Sequence, residues 1–425
     1  MTLKDNIASI RGMHDITPAN TLKWQRLENT LKEVAKIFGY KEIRTPIVEN
    51  TNLFKRSIGQ ETDIVNKEMY SFQDKNGDEL TLRPEGTASC VRAMAQHSLL
   101  RSPGQKIWYL GPMFRHERPQ RGRTRQFHQF GLETFGITQA SIELELLSYC
   151  TLIWEKLGIA DKVQLEINCL GSDECRATYK KELIKYFKQH KDKLSEEELK
   201  RLELNTLRIL DSKNPVIIDL LPNAPKLSEY LNNEQQQHFK AITEGLKQLD
   251  IKYAVNPYLV RGLDYYSGTV FEITTSELGA QGTICAGGRY DNLVSKLSNN
   301  SMAATGFAMG LERILELMPE PQENKADIYV IAIDEKSQAT ANIITHRIRR
   351  ELKQTCLLDH IQSNIKNKFK RAAASSAKIA LVLGQDECEN NTVTIKYLDD
   401  DKKQQCINNA DIIDFIQTIF GDNNE

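Results

Sequence analysis

Five arginines fall within eleven residues of one run, Phe114-Arg115-His116-Glu117-Arg118-Pro119-Gln120-Arg121-Gly122-Arg123-Thr124-Arg125-Gln126-Phe127-His128. A guanidinium fork grips phosphate oxygens at two points, and an aromatic face stacks on a purine. Over 101–130 seven Lys and Arg stand against one Glu, a local balance of +6. The run reads as a polyphosphate or nucleic-acid site, or as a solvated basic loop. Strand-like segments on both sides favour the first reading, because rigid strands present binding residues.

Four further clusters carry polar handles. Leu82-Arg83-Pro84-Glu85-Gly86-Thr87 sets a carboxylate and a hydroxyl beside a helix start. Glu85 is placed to hold an ammonium group, or Thr87 to cap the helix. Arg261-Gly262-Leu263-Asp264-Tyr265-Tyr266-Ser267-Gly268-Thr269-Val270-Phe271-Glu272 sets an arginine, an acid and two tyrosines just before a β run. In an extended chain Tyr265 and Tyr266 face opposite sides, so at most one is expected on a given pocket wall. Ala286-Gly287-Gly288-Arg289-Tyr290-Asp291 lets a backbone approach a ligand closely. Gly306-Phe307-Ala308-Met309-Gly310-Leu311-Glu312-Arg313 has neither the Walker nor the Rossmann glycine pattern. An ATP site here therefore uses neither common phosphate loop.

The elements that must position these groups follow from periodicity. Trp24, Leu27, Leu31, Val34 and Phe38 predict a helix over 21–38, closed by Gly39. Strands are expected at 41–48, 69–72, 80–82, 106–114, 126–135, 163–168, 252–260, 268–275 and 282–286. Asp74-Lys75-Asn76-Gly77 signals a hairpin. Helices are expected at 87–94, 140–157 and 307–317. Residues 174–250, rich in Lys, Glu, Leu and Gln, read as a helical insertion. Pro319 and Pro321 mark a linker. Beyond it strands and helices alternate: strands 327–333, 378–383 and 393–397, helices 337–353, 366–376 and 410–419, giving an α/β domain of about 100 residues.

The chain has 425 residues, 56 Lys and Arg against 57 Asp and Glu, and a net charge of −1. That length predicts two or three domains. The balance excludes a wholly basic coat protein or a polyacidic tail, but conceals local patches. Acids such as Asp399–Asp401 offset the basic runs. The sequence has no signal-peptide core and no apolar stretch of membrane-spanning length, so a cytoplasmic protein without membrane contact is expected. Eight cysteines at 90, 150, 169, 175, 285, 356, 388 and 406 form no C-x-x-C pair and read as reduced. The eight histidines show no metal spacing.

Taken in order, these segments resemble the histidyl-tRNA synthetase family of class II aminoacyl-tRNA synthetases. Ile10-Arg11-Gly12-Met13-His14-Asp15 is similar to the family's opening, and Phe38-Gly39-Tyr40 through Thr45-Pro46 to its motif 1. Phe114 to Phe127 is similar to motif 2 and Gly306 to Arg313 to motif 3. Arg83-Pro84-Glu85-Gly86-Thr87 and Arg261-Gly262-Leu263-Asp264-Tyr265-Tyr266 resemble the histidine-specific signatures. The resemblance implies an α+β fold. An antiparallel-sheet catalytic core flanked by helices spans 1–325, with the insertion at about 174–250. An α/β anticodon-binding domain spans 326–425.

It implies a histidine–tRNA ligase that activates L-histidine with ATP and transfers it to the 3′ end of tRNA(His). Mg²⁺ assists, with no metal-ligating residue assigned, and the enzyme would be a homodimer. Arg115 and Arg261 would be catalytic, with Arg261 standing where other class II enzymes use a metal. Histidine would be bound by Glu85, Gly86, Thr87, Arg115, Gln129, Glu133, Arg261, Tyr265 and Tyr266. ATP would be bound by Arg115, Glu117, Arg123, Phe127 and Arg313, and Gln120 would approach the tRNA acceptor end. Rival readings are a silent synthetase-like regulatory subunit of ATP phosphoribosyltransferase and a noncatalytic RNA-binding protein. Asn292 departs from the glycine of many relatives. In the C-terminal domain Lys366, Lys368, Lys370, Arg371 and Lys378 group into a possible phosphate-facing patch.

Overall fold

The computed structural model describes residues 7–59, 62–204, 206–212, 214–263, 265–279, 282–298, 300–321, 325–398 and 402–421. Asp264 and the Asp399–Asp401 acids lie outside them. The chain forms two compact units, Met1–Pro321 and Gln322–Glu425.

The first unit contains strands β1 (Lys41–Glu42), β2 (Val48–Asn50), β3 (Tyr70–Gln73), β4 (Glu79–Leu82), β5 (Gln105–Phe114) and β6 (Gln126–Phe135). These are followed by β7 (Gln164–Cys169), β8 (Ala254–Val255), β9 (Thr269–Thr274), β10 (Thr283–Arg289) and β11 (Ala304–Gly310). Eight of them form one sheet in the order β1-β5-β6-β11-β10-β9-β7-β8. Its six central strands are antiparallel, and a two-residue parallel pair closes each edge. Strands β2, β4 and β3 make a separate small sheet, with the Asp74–Gly77 turn between β3 and β4.

Side chains alternate across the main sheet, as strand geometry requires. Trp108, Phe130, Leu132 and Phe271 point into one core with helices Pro18–Ile37, Ser141–Leu157 and Leu311–Leu317. Ile107, Tyr109, Phe135 and Val270 point into a second core, shared with helices Thr87–Gln96 and Asp291–Leu297 and with the helical insertion.

Three expectations are corrected. The 41–48 strand is two short strands in different sheets, because the chain passes Pro46 between them. The 307–317 helix is half strand. Residues 304–310 form β11, seated between β6 and β10, and the helix begins only at Leu311. Glycines 306 and 310 lowered its helical preference, and burial between two strands decided the rest. Strand 252–260 shrinks to Ala254–Val255. The 174–250 segment is helical throughout its described elements, but its last helix, Asn233–Gln248, packs Ile242 and Leu246 into the first of the two cores of the main sheet.

The second unit is a five-stranded sheet, β13-β12-β14-β15-β16, from β12 (Ile328–Ala332), β13 (Cys356–Leu358), β14 (Ile379–Leu383), β15 (Thr392–Tyr397) and β16 (Gln405–Asn408). Helices Gln338–Glu351, Ile365–Ala374 and Ile412–Phe420 accompany it. The expected basic patch does not form as drawn. The Lys368 side chain is buried and donates to the Ala332 carbonyl at 2.7 Å. Arg371 clamps the buried Asp359 carboxylate, and Lys378 lies over the Phe420 ring. Only Lys366 and Lys370 of the five remain exposed and unassigned to such a contact. Among the described residues, no helix is long and apolar enough to cross a membrane.

Candidate active site

A cavity of about 410 Å³ opens over the face of the main sheet. Five separated segments supply most of its walls: 85–87, 115–129, 261–263 with 265–266, 283–286 and 308–313, and Asp63, Glu68 and Arg208 also line it. The central strands run under it and hold these segments in register. Gly306, for example, pairs with Glu133 on one side and Gly288 on the other.

The Arg-rich loop joins β5 to β6. It closes on itself by a bridge in which Gln120 and Arg123 exchange backbone hydrogen bonds of 3.0 and 2.8 Å. The N-terminal Gly12 carbonyl accepts from Arg125 N–H at 2.6 Å. Gly12 has φ +83°, and a Cβ there would fall 2.9 Å from Pro119 Cγ. A glycine is therefore needed where the opening segment laces onto the loop. Arg115 Nε donates to the Pro84 carbonyl at 2.8 Å, and its guanidinium lies 5.2 Å over the Phe127 ring. Arg123 Nη1 sits 2.6 Å from Glu117 Oε2, and Arg115 Nη1 3.9 Å from Glu117 Oε1. Arg313 Nε donates to the Gly122 carbonyl at 3.2 Å and its Nη1 to the Thr283 carbonyl. Burial, then the nearby Arg123 charge, pull the Arg313 guanidinium below its ordinary value.

Glu85 settles the open question about the helix start. Its two oxygens accept Thr87 N–H and Ala88 N–H, both at 2.8 Å. The carboxylate thus caps helix Thr87–Gln96, and the Thr87 hydroxyl is free to donate to Glu133 at 2.6 Å. Burial still pushes the Glu85 carboxyl up, against those two amides. Gly86 N–H donates to Gln129 Oε1 at 3.0 Å, and the Tyr109 hydroxyl to the same oxygen at 3.3 Å. The Tyr109 ring occupies the space a side chain at Gly86 or Gly131 would need.

Glu133 is fully buried and stands behind Thr87 rather than on the cavity wall. It also accepts from the Tyr290 hydroxyl. Burial dominates the hydroxyl donors and pushes its carboxyl up to about 8. A Cβ at Gly306 would overlap this carboxylate.

Tyr265 and Tyr266 both line the cavity, with ring centroids 4.8 Å apart, contrary to the expectation of opposite faces. The segment is a turn, so the period-two rule does not apply. Arg261 pairs with Glu272 on β9 and lies 5.5 Å over the Tyr266 ring. Burial alone would lower its pKa, but Glu272 and the tyrosines together raise it.

Of the expected residues, Glu85, Thr87, Arg115, Glu117, Arg123, Phe127, Gln129, Tyr265, Tyr266, Arg261 and Arg313 meet in the one cavity. Gly86 and Glu133 lie directly behind its wall, and Gln120 lies in the loop bridge. Sequence reasoning missed Glu272, Tyr290, Arg208 and Glu312. Glu312 accepts His128 N–H at 2.8 Å and contacts His128 Nδ1 at 3.0 Å. Glu272, Tyr290 and Glu312 lay inside quoted clusters without a role, whereas Arg208 lay in none.

The arrangement offers cationic forks for a phosphate chain, an aromatic face, and a polar pocket for a small zwitterion. Among the described residues, Arg123 Nε and Arg261 Nε are buried N–H groups with no hydrogen-bond partner, as suits a site awaiting anionic oxygens.

An antiparallel platform carrying an arginine-lined cavity defines the class II aminoacyl-tRNA synthetase fold. A family model described as histidyl-tRNA synthetase matches residues 12–314, and one described as an anticodon-binding domain matches 327–419. The apo crystal structure of S. aureus histidyl-tRNA synthetase is 32% identical, with TM-score 0.81, covering 97% of this chain and 100% of that one. The chain belongs to the histidyl-tRNA synthetase family. Two more distant structures share the fold. Histidyl-tRNA synthetase from Nostoc is 19% identical, with TM-score 0.68 and coverage of 98% and 100%. A Bacillus halodurans protein described as an ATP phosphoribosyltransferase regulatory subunit/histidyl-tRNA synthetase is 20% identical, with TM-score 0.64 and coverage of 89% and 97%.

Proposed function

We propose that this chain is a catalytically competent histidine–tRNA ligase. The observation that carries the reading is the convergence of Arg115, Arg123, Arg261 and Arg313 on the cavity that also holds Glu85, Thr87, Gln129 and Tyr266. A silent relative needs no such complete set.

In the first step a histidine carboxylate oxygen attacks the α-phosphorus of ATP. The bond to the bridging oxygen breaks, giving histidyl-adenylate and pyrophosphate. The carboxylate is already ionised at neutral pH, so the enzyme supplies alignment and charge rather than a strong base. Arg115 has its Nε spent on Pro84 and its terminal nitrogens available to bridge the carboxylate and the α-phosphate. Arg261 reaches the α-phosphate from the opposite wall. Phe127 and Arg313 sandwich adenine, Glu117 accepts from its amino group, and Arg123 meets the terminal phosphates.

Each Glu85 oxygen keeps a second lone pair for the substrate ammonium, alongside Thr87 and Gln129. Gly86 leaves that wall thin. Tyr265 and Tyr266 make the imidazole end polar, with Glu133 backing the Thr87 hydroxyl. A pocket built to hydrogen-bond a polar ring strands its own groups when an apolar analogue enters, which gives selectivity without editing. In the second step the terminal ribose hydroxyl of tRNA(His) attacks the adenylate carbonyl and AMP leaves. Gln120, on the loop bridge, faces the acceptor end.

Domain 1–325 is the catalytic part, with its insertion at about 174–250, and 326–425 reads the anticodon. We further propose a cytoplasmic homodimer. The site fits Mg²⁺ carried largely by phosphates. Glu68 lies on the wall, its carboxyl pushed up by burial and then by Glu117, a condition that a dication would relieve. Glu68 would help hold such an ion, which neutralises phosphate charge.

ATP–pyrophosphate exchange with each amino acid in turn tests the reading. Histidine alone should support exchange. Absence of exchange with histidine, with RNA binding retained, would leave a noncatalytic protein on the same fold.

A further inference from the structure

The helical insertion is not a detached appendage, because one of its side chains forms part of the cavity wall. Arg208 lies on a short 3-10 turn, Thr206–Asp211, between the insertion's helices. Its Nη2 donates to the Gly262 carbonyl at 2.7 Å, and the side chain lines the cavity. Residues 261–263 belong to neither helix nor strand. A main chain of that kind is held by what grips it from outside. Gly262 directly follows Arg261, so the grip acts one residue from a guanidinium that faces the reacting phosphate.

The turn is itself firmly seated. Ile209 and Leu210 are buried in the same hydrophobic core as Leu259, Val260 and Tyr265, which flank the Arg261 segment. The same turn also bears on Arg261's partner. Burial, and to a smaller degree the charge of Asp211, push the Glu272 carboxyl up, while Arg261 pulls it down. The contact to Gly262 needs one of the five N–H groups of Arg208.

We propose that Arg208 is a positioning residue for amino-acid activation: it fixes the Arg261–Tyr266 segment by holding the Gly262 carbonyl, and so couples the helical insertion to the catalytic guanidinium. This rests on the ligase reading above.

The test is a double-mutant cycle read by histidine-dependent ATP–pyrophosphate exchange on the full chain. Arg208→Met keeps length and loses the donor. It should slow exchange about ten- to a hundredfold, the scale of one charge-assisted hydrogen bond. The loss should vanish, to within twofold, when Arg208→Met is placed on Arg261→Ala, because the residue being positioned is gone. Arg208→Lys, which keeps a charged donor, should recover part of the loss. A residue that merely stabilised the fold would cost the same in both backgrounds. Equal losses in both backgrounds overturn the proposal, as does an Arg208→Met enzyme within twofold of wild type. A wild-type chain with no histidine-dependent exchange would instead overturn the ligase reading, and this inference with it.

Discussion

The two densest basic runs of the chain meet opposite fates. At 115–125 the arginines extend from a strand–loop–strand frame, and their guanidinium groups gather around open space with Arg261 and Arg313. On helix Ile365–Ala374, Lys368 is drawn inward onto the end of β12 and Arg371 is locked to Asp359. The difference lies in what the neighbours need. The carbonyl of Ala332 and the carboxylate of Asp359 are buried acceptors that require a donor. Around the cavity, Arg123 Nε and Arg261 Nε stay unmatched among the described residues. A cluster of charge in a sequence becomes a binding surface only where the fold does not consume it.

Substitutions can break that contrast. The largest effect is expected from Arg261→Ala, where exchange should fall about 10²–10³-fold, the scale of removing one transition-state donor. Histidine affinity should change much less, and exchange at the wild-type rate would remove Arg261 from the reacting phosphate. Next comes Lys368→Met, which strands the Ala332 carbonyl. Unfolding of the C-terminal unit should become easier by about 1–3 kcal/mol, with exchange unaltered. An unchanged melt would show that the buried lysine is dispensable and the contrast overstated.

The third test is the pH dependence of Glu133. Its carboxyl titrates near about 8 in the fold and near ~4.3 in an unfolded chain. Between those values the native state keeps a proton that the unfolded state has released, so stability falls as pH rises across that window. Glu85, Glu272 and Asp291 shift in the same direction. Glu133→Gln should therefore flatten, without abolishing, the drop in Tm between pH 5.5 and 8. Identical drops in the two proteins would place the Glu133 proton elsewhere. The smallest effect belongs to Lys366→Ala and Lys370→Ala. Each should alter stability by no more than about 0.5 kcal/mol while reducing the salt slope of tRNA binding by roughly one. A salt slope indifferent to both would take this helix out of phosphate contact.

Much of this was legible in the sequence because the informative residues are neighbours in the chain. The hairpin about Asp74–Gly77, the loop 115–125 and the Arg83–Thr87 turn carry their geometry locally. What escaped depends on distant partners. Arg208 is 54 residues from Gly262, and Tyr290 is 157 from Glu133. Gly306–Gly310 is apolar without a period of two or 3.6, so only its burial between β6 and β10 could assign it to a strand. Tyr265 and Tyr266 misled because a period-two rule was applied to a turn. Lys368 and Arg371 misled because sequence shows a charge and not its acceptor.

One contact carries a consequence for redesign of the buried wall behind the cavity. Gly306 lies opposite Glu133 across the β6–β11 pair, and any side chain at 306 would enter the volume of that carboxylate. The Leu132 carbonyl oxygen crowds the same Cβ position, so backbone closes that space as well. A redesign of this wall must keep glycine at 306, because shortening 133 still leaves the Leu132 carbonyl in the way.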